Sequence, residues 1–408
     1  MSGRRRYEGP SVTVSPLDDC ASAGEPRLPP VGLPCHGVGG VFPRLDRAAA
    51  SGTLHRRFFD RILLLPLHMI LGPLLGMFLL TAATTFAQGA EAQPPIASMI
   101  TPVADAAIGR GLRWLVDHQQ DDGSFGSGAY RGNVAVTGLA GMALLASGST
   151  PGRGPHGAAI DRAVDYLLAR ADTGGYLIDR PSAGHGPMYG HGFATLFLAE
   201  CHGMSRRADL REKLALATQL IVNSQNADGG WRYYPQRADA DISVTVCQVM
   251  ALRAARNAGI DVPKETIDRS IEYVKRSQNA DGGFMYMLQG GESAFPRSAA
   301  GVVGLFCAGV YEGPEVVKGL DYLMNFLPTE QSFRRETYWL YGHYYAVQAM
   351  WQAGGERWNR WYPAIRDELV RRQMNDGSWT SAISIECDTA FACIILQMPN
   401  NCLPIFER

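Results

Sequence analysis

QNADGGW, at residues 225–231, is the stretch of sequence that decides the fold, because near copies of it recur along the chain. QQDDGSF stands at 119–125, QNADGGF at 278–284 and QMNDGSW at 373–379, and two degenerate copies, GGY at 174–176 and QSF at 331–333, fill the intervals. The six final aromatic residues are spaced 46 to 55 residues apart. Such a period indicates one supersecondary unit that is repeated six times.

Each unit combines two apolar runs with the turn between them. The run before the turn has the spacing of an amphipathic helix, as at Leu214, Leu220 and Ile221. The run after the turn is rich in small residues, as at 244–255, and suits an enclosed inner helix. In the turn itself, glycine allows the positive φ that ends a helix, and Asp binds nearby backbone donors. We therefore predict an all-α array of twelve helices, in six pairs, between residues 104 and 398.

The end of the array helps to decide between an open solenoid and a closed ring. An open array needs polar capping repeats at its ends. Residues 388–396, in the last repeat, are as apolar as the middle repeats. The sequence therefore favours closure into a ring.

The repeats also carry a recognisable family pattern. Their consensus, aromatic-Leu-x-x-x-Gln-x-x-Asp-Gly-Ser-Trp, covers about 295 residues. It resembles the QW repeat of squalene and oxidosqualene cyclases, and the related repeat of protein prenyltransferase β subunits. The resemblance implies an (α/α)6 toroid at residues 104–398, in which each outer helix is followed by a turn and an inner helix around a central cavity. Residues 399–408 are then a short C-terminal tail.

The first 55 residues are rich in Gly, Pro and Arg without periodicity, which is typical of a disordered tail. An over-extended translation start is the alternative, since Met69 and Met77 lie downstream.

Residues 56–92 have the layout of an export signal or membrane anchor. Residues 62–86 contain no Asp, Glu, Lys or Arg, and they follow Arg56, Arg57 and Arg61. The sequence TFAQ at 85–88 resembles a cleavage site. A run of this length also suffices to span a membrane uncleaved. We therefore expect an exported or membrane-anchored protein on the periplasmic or extracytoplasmic side.

Composition argues against several other classes of function. With 38 basic against 39 acidic side chains and no basic block in the repeats, the chain offers no nucleic-acid surface. The eight cysteines form no Cys-x-x-Cys pair and show no disulfide framework. A prenyltransferase zinc site is poorly matched, because no histidine follows Cys387 in the segment ECD at 386–388. We expect neither a metal nor a cofactor.

One aligned position of the inner helices is polar in every repeat, within apolar surroundings. For its Thr and Ser members, capping or back-bonding to the helix is the plainer interpretation. Its two histidines belong to repeats two and five, which lie opposite each other in a closed ring of six. We hypothesise that both rings point into the central cavity, His191 to assist an acid and His343 to bind substrate. The position comprises Thr137, His191, Thr245, Ser298, His343 and Thr389.

The strongest candidate for chemistry is DADIS at 239–243, just before the third inner helix. It resembles the Asp-x-Asp-Asp-Thr motif of squalene–hopene cyclases, in which the middle Asp protonates a carbon–carbon double bond. The resemblance implies that Asp241 is the acid and Asp239 its assistant. Ile242 and Ser243 replace the following Asp and Thr, so a neighbouring carboxylate that would raise the pKa of the acid is missing. The alternative interpretation is that Asp241 caps the helix.

Aromatic side chains near the inner-helix openings would stabilise carbocations or line an apolar pocket. The densest group is YWLYGHYY at 338–345. Core packing is the alternative role, whereas the turn aromatics are interpreted as structural clamps between repeats. With His343, the candidate substrate-binding residues are Tyr189, Phe193, Trp339, Tyr341 and Tyr344.

Two functions remain open. One is a class II terpene cyclase-like isomerase that protonates an isoprenoid through Asp241. The known polycyclising members pair two α-domains, and the single toroid of this chain counts against that activity. The other is an exported toroid without catalysis, which binds a lipid or a protein partner.

Overall fold

The computed structural model describes residues 99–184, 186–205 and 207–407. These residues contain thirteen α-helices and no β-strand. Six of the helices precede the turns of the repeats: α1 (Pro102–Asp117), α3 (Gly157–Ala169), α5 (Ala208–Ser224), α7 (Lys264–Arg276), α9 (Pro314–Leu323) and α12 (Gly355–Arg372). Six follow the turns: α2 (Val134–Leu145), α4 (Pro187–His202), α6 (Ile242–Asn257), α8 (Phe295–Cys307), α11 (Trp339–Ala353) and α13 (Ile385–Gln397). The predicted six helix pairs are confirmed.

The six helices that follow the turns form a closed inner ring. Around it, α2 packs against α4, α4 against α6, α6 against α8, α8 against α11, α11 against α13, and α13 again against α2. Nearly every residue of these helices is buried, because neighbours cover them on all sides. The other six helices bury only one face and lie outside this ring.

The repeated turn joins each repeat to the next one. Gly229 has a φ of 95°, and a Cβ atom there would overlap the carbonyl oxygen of Arg269 in the following outer helix. Gln225 donates from Nε2 to the carbonyl oxygens of Gly229 and Thr266, each at 2.9 Å. Glycine and glutamine of the motif therefore serve one purpose, which is close docking of a turn onto its neighbour.

The same contacts close the ring between the last repeat and the first. Gln373 donates from Nε2 to the carbonyl oxygen of Ala107 in α1 at 2.8 Å. A Cβ atom on Gly377, whose φ is 97°, would lie 2.9 Å from the carbonyl oxygen of Arg110. The predicted closure is confirmed, because the sixth turn contacts α1 in the way that each of the other motif turns contacts the next outer helix.

The fifth repeat departs from the prediction. Residues 331–333 form no turn but lie within a short helix, α10 (Glu330–Arg335). The segment has no glycine to adopt a positive φ, and Thr329 with Ser332 forms a capping box that starts a helix instead. Within the predicted range 104–398, the structure thus has one helix more than the twelve predicted.

The C-terminal segment packs against the C-terminal ends of inner helices. Leu403, Ile405 and Phe406 are buried. Gln352 of α11 donates to the carbonyl oxygen of Phe406 at 2.5 Å, and Arg253 of α6 donates to that of Glu407 at 3.2 Å. Residues 402–407 therefore cover the end of the ring opposite to the turns.

Among the described residues, no helix is both long and apolar enough to cross a membrane. The predicted tail at 1–55 and the signal or anchor segment at 56–92 both lie outside the described residues.

Candidate functional site

The polar position of the inner helices is a structural position in four of the six repeats. The hydroxyl oxygens of Thr137, Thr245, Ser298 and Thr389 accept the backbone N–H of the turn aromatic, at 2.8 to 3.0 Å. Each hydroxyl is buried, so it satisfies an amide that would otherwise be left without a partner. These hydroxyls are therefore structural, but they bond the preceding turn instead of capping or back-bonding to their own helix.

His191 takes the same structural role, and the hypothesis that it faces a central cavity is wrong. Its Nδ1 accepts the N–H of Leu177 at 3.2 Å, and its Nε2 lies 3.1 Å from the carbonyl oxygen of Ala217 in α5. The ring is fully buried between α4 and α5, and burial lowers its pKa to about 4. Both ring nitrogens are committed to the backbone, so His191 is in no position to assist Asp241.

His343 and Trp339 also lie between the inner and outer helices rather than at the centre of the ring. The His343 ring is 4.3 Å from that of Trp339 and 5.4 Å from that of Trp361 on α12, measured between centroids. Burial lowers the pKa of His343 to about 3. Trp339 turns toward α10, where its Nε1 donates to Ser332 at 3.2 Å. The hypothesis of two opposed histidines in the cavity is therefore wrong for both rings.

Asp241 lies at the mouth of α6 and is wholly buried. Its Oδ1 accepts the backbone N–H of Val244 at 2.9 Å, which makes it the N-cap of the helix. The capping role that was one of two interpretations is thus real. It does not exclude an acid, because Oδ2 remains directed away from the helix toward Arg232 at 3.5 Å.

Two opposing effects set the pKa of Asp241. Burial raises it from 3.8 to about 6, while the helix amides, Arg232 and the Tyr286 hydroxyl hold it down. Arg232 also pairs with Asp239, whose Oδ2 lies 3.4 Å from Nε and whose side chain is half-exposed. Asp239 therefore touches Arg232 and acts on Asp241 only through that shared cation.

Aromatic side chains surround this carboxyl group. The guanidinium of Arg232 stacks 4.6 Å above the ring of Tyr233, and the hydroxyls of Tyr233 and Tyr286 are 2.6 Å apart. The predicted candidate Tyr189 is half-buried, with its ring 6.3 Å from that of Tyr233. Three tyrosines and one arginine thus form the walls beside Asp241, and only Tyr189 was anticipated from the sequence.

The other predicted aromatic residues meet further along the ring axis. The ring of Phe193 on α4 is 6.2 Å from that of Tyr344 on α11, although these helices belong to opposite repeats. Phe391 on α13 lies 4.9 Å from Tyr344 and 6.2 Å from Tyr341. The structure therefore brings Phe193, Tyr341 and Tyr344 together at the centre of the ring.

A pair of buried carboxyl groups lies at the mouth of α13 and was not predicted as a site. Asp388 accepts the backbone N–H of Ser381 at 2.6 Å, and burial together with the charge of Glu386 raises its pKa to about 6. Glu386 is buried as well. Over the part of the chain that the structure describes, no group of three or more His, Cys, Asp or Glu side chains is placed to hold a metal.

Comparison with known proteins identifies the family of the toroid. Residues 105–331 match the family profile described as prenyltransferase alpha-alpha toroid domain. Drimenyl diphosphate synthase of Streptantibioticus cattleyicolor is 28% identical over 184 residues, or 44% of this chain and 32% of that protein. The chain thus spans about a third of the length of this curated relative.

Solved structures support the fold. The type II terpene cyclase MstE from Scytonema has a TM-score of 0.52 at 15% identity, over 74% of this chain and 100% of that one. A D-mannose isomerase has a TM-score of 0.53 at 12% identity, over 74% and 98%. At such identities the likeness shows the fold alone, and the fold serves different chemistries.

Proposed function

This chain belongs to the prenyltransferase alpha-alpha toroid family, and from that premise we propose that it is a class II terpene cyclase-like isomerase. The proposed substrate is an isoprenoid that enters at the mouth of α6, and Asp241 is the proposed proton donor. One observation carries the proposal: a wholly buried carboxyl group with its pKa raised to about 6 lies within a wall of tyrosines. Perturbed carboxyl groups in such surroundings are frequent at catalytic sites.

The proposed reaction needs Asp241 in its neutral form. An alkene is a weak base, so only a protonated and desolvated acid can transfer a proton to it. The proton would be donated from Oδ2, because Oδ1 accepts the amide of Val244. Arg232 must then turn away from Oδ2, and Asp239 and the Tyr233 ring are the groups that would hold it.

After protonation, the positive charge passes to carbon. The faces of Tyr189, Tyr233 and Tyr286 would stabilise that cation without forming a bond to it. Asp241 returns to its starting state when the product cation loses a proton. Because the active acid is the protonated one, turnover should fall as the pH rises through about 6.

Product analysis tests this function. The full-length protein would be incubated at pH 5.5 with squalene and with geranylgeranylated phenols, and the extracts would be analysed by gas chromatography and mass spectrometry. We expect cyclised products from the wild type and none from Asp241→Asn. Asp268→Asn is the matched control and should retain activity, because Asp268 is half-exposed and pairs with Lys264 on the outer helix α7. Unchanged substrates with the wild type, or equal products from Asp241→Asn, would contradict the proposal.

A toroid that binds its ligand without catalysis is the second candidate. It is favoured by the contacts of Asp241, since one oxygen already caps α6 and the other faces a cation. A structural cap of this kind needs no reaction to explain it. Mass spectrometry of lipids that copurify with the protein, combined with an absence of turnover, would support this candidate over the first.

We further propose export or anchoring through residues 56–92, with the toroid at 104–398 on the extracytoplasmic side. The proposal rests on the apolar run at 62–86 behind Arg56, Arg57 and Arg61. Residues 1–55 would then be a tail ahead of this segment, whereas residues 402–407, which the sequence predicted to be part of a C-terminal tail, pack on the ring. Fractionation of cells that express the full chain, beside a variant without residues 56–92, tests it. Recovery of both in the same cytoplasmic fraction would refute it.

A further inference from the structure

Three tyrosines on α11 have buried hydroxyl groups at the centre of the ring. They are Tyr341, Tyr344 and Tyr345, and among the described residues no group meets their oxygens with good hydrogen-bond geometry. The rings pack edge to face, with centroids 5.1 Å apart for the first and third and 4.9 Å apart for the second and third. We call these three residues the tyrosine cluster. Buried hydroxyls without a partner are rare, and several in one place point to a missing ligand.

The tyrosine cluster is enclosed by several inner helices. Phe193 of α4 and Phe391 of α13 pack against Tyr344. Cys247 of α6 lies close enough to affect the pKa of all three tyrosines. The cluster is therefore a shared feature of four inner helices and not a local detail of α11.

Tyr341 is the member of the tyrosine cluster that lies toward Asp241. Tyr341 is half-buried, whereas Tyr344 and Tyr345 are fully buried, so Tyr341 is the member nearest the mouth. The charge of Asp241 contributes to the raised pKa of Tyr341, which places the two groups near each other. A long ligand that entered beside Asp241 would thus reach the hydroxyls with its inner end.

The charges around the cluster decide which kind of ligand end fits. Burial raises the pKa of each phenol, so all three stay neutral and act as donors. Among the described residues, no Lys or Arg is buried, and Asp241 is a buried acid. Arg232, the cation beside Asp241, is shared between two carboxylates. An anionic group would therefore lose its hydration without gaining a counter-ion.

We propose that the tyrosine cluster binds a neutral oxygen, a hydroxyl or a carbonyl, at the inner end of an isoprenoid ligand, and that diphosphate esters are excluded. The proposal rests on the proposed function only for the isoprenoid part of the ligand. It makes the cluster a specificity site, because the phenols donate hydrogen bonds that a pure hydrocarbon cannot accept.

Binding measurements test this without reference to turnover. Intrinsic fluorescence of the full-length protein in detergent would be titrated with geranylgeraniol, geranylgeranyl diphosphate and squalene. We expect geranylgeraniol to bind at least about tenfold more tightly than the other two, the ratio that about 1.4 kcal/mol produces. Tyr344→Phe and Tyr345→Phe should each weaken the binding of geranylgeraniol by about fivefold, as expected for one lost hydrogen bond. Both should fold, since no described group forms a well-aligned hydrogen bond with either hydroxyl.

The control is Tyr338→Phe, whose residue precedes the same helix but is exposed, and it should leave the affinity unchanged. Diphosphate binding that equals or exceeds alcohol binding, no detectable alcohol binding, or unaltered affinity in both cluster variants would overturn the proposal. The outcome is separable from the proposed cyclase activity. Alcohol binding without turnover refutes only the cyclase, and cyclisation of squalene without alcohol binding refutes only the cluster.

Discussion

Replacing Asp241 with Asn should stabilise the protein at neutral pH. The folded state raises the pKa of Asp241 from 3.8 to about 6. Since one pKa unit corresponds to about 1.4 kcal/mol, keeping this carboxylate charged in the folded protein costs about 3 kcal/mol. Asparagine caps a helix about as well as aspartate does, so the bond to Val244 is kept while the buried charge disappears. We therefore expect the variant to gain about 3 kcal/mol in free energy of unfolding at pH 7.5.

The gain should depend on pH in a defined direction. Between pH 3.8 and about 6 the folded wild type holds a proton that the unfolded chain has lost. The stability contributed by Asp241 is therefore full below about pH 4 and is lost as the pH rises through 6. The advantage of Asp241→Asn should accordingly be absent at pH 4 and complete at pH 7.5.

Chemical denaturation of the wild type and the variant at both pH values measures this difference. Asp239→Asn is the control, since its side chain is half-exposed, and we expect a change of less than about 0.5 kcal/mol at either pH. A variant that is no more stable than the wild type at pH 7.5, or equally stabilised at pH 4, would refute the reasoning. A residue whose replacement stabilises the fold and abolishes turnover would be one retained for chemistry.

Other substitutions test the packing of the repeats, each by chemical denaturation at pH 7.5. Gly229→Ala should lower the free energy of unfolding by more than about 3 kcal/mol, because it combines a positive φ with overlap on the next helix. Gly259 also has a positive φ but has free space around it, so Gly259→Ala should lower the free energy of unfolding by only about 1 kcal/mol. Equal losses would contradict the docking role of the turn. Thr245→Val should lose about 1 to 3 kcal/mol by leaving a buried amide without its acceptor, and Thr245→Ser should recover most of it; a neutral Val variant would mean that the bond is dispensable. His191→Phe should lower the free energy of unfolding by about 1 to 3 kcal/mol, because the His191 ring bonds the backbone. His343→Phe should leave it unchanged or raise it by up to about 1 kcal/mol, because the ring nitrogens of His343 have no hydrogen bond among the described residues. A larger loss for His343→Phe than for His191→Phe would contradict the positions of the two rings.

The fold was predictable because each residue of the repeated motif has a single structural role. A glycine with positive φ and a glutamine that reaches the next helix recur in the motif copies, and the closed ring follows from their repetition. The fifth repeat was mispredicted since QSF keeps the aromatic residue without the glycine. There the capping residues Thr329 and Ser332 decided the local structure.

The site was predictable only in part, because the position of a residue in the motif gives its place along the helix but not the direction of its side chain. His343 and Tyr344 are neighbours in sequence, yet consecutive helical residues point about 100° apart. One therefore faces α12 and the other faces the ring centre. A signal for the histidines existed in the sequence: every other member of their aligned position is a hydroxyl residue that bonds a turn amide.

Residues outside the family motif escaped prediction for a different reason. Arg232 directly follows the turn aromatic. Its position in the sequence does not predict its contacts with Asp239 and Asp241. Tyr286 comes from the next repeat and reaches the same carboxyl group only through the docking of that repeat. Such partners depend on tertiary packing, which a pattern within one repeat does not contain.

The seam between Gln373 and Ala107 has a consequence for how the chain folds. The two residues are 266 positions apart, whereas the contacts of one helix pair are local. Helix pairs can therefore form early, but the ring closes only when the last repeat is available. Loss of the sixth repeat from an open solenoid would uncover one helical face. In this ring it would uncover two, one on α1 and α2 and one on α11, so the C-terminal repeat protects both ends of the fold at once.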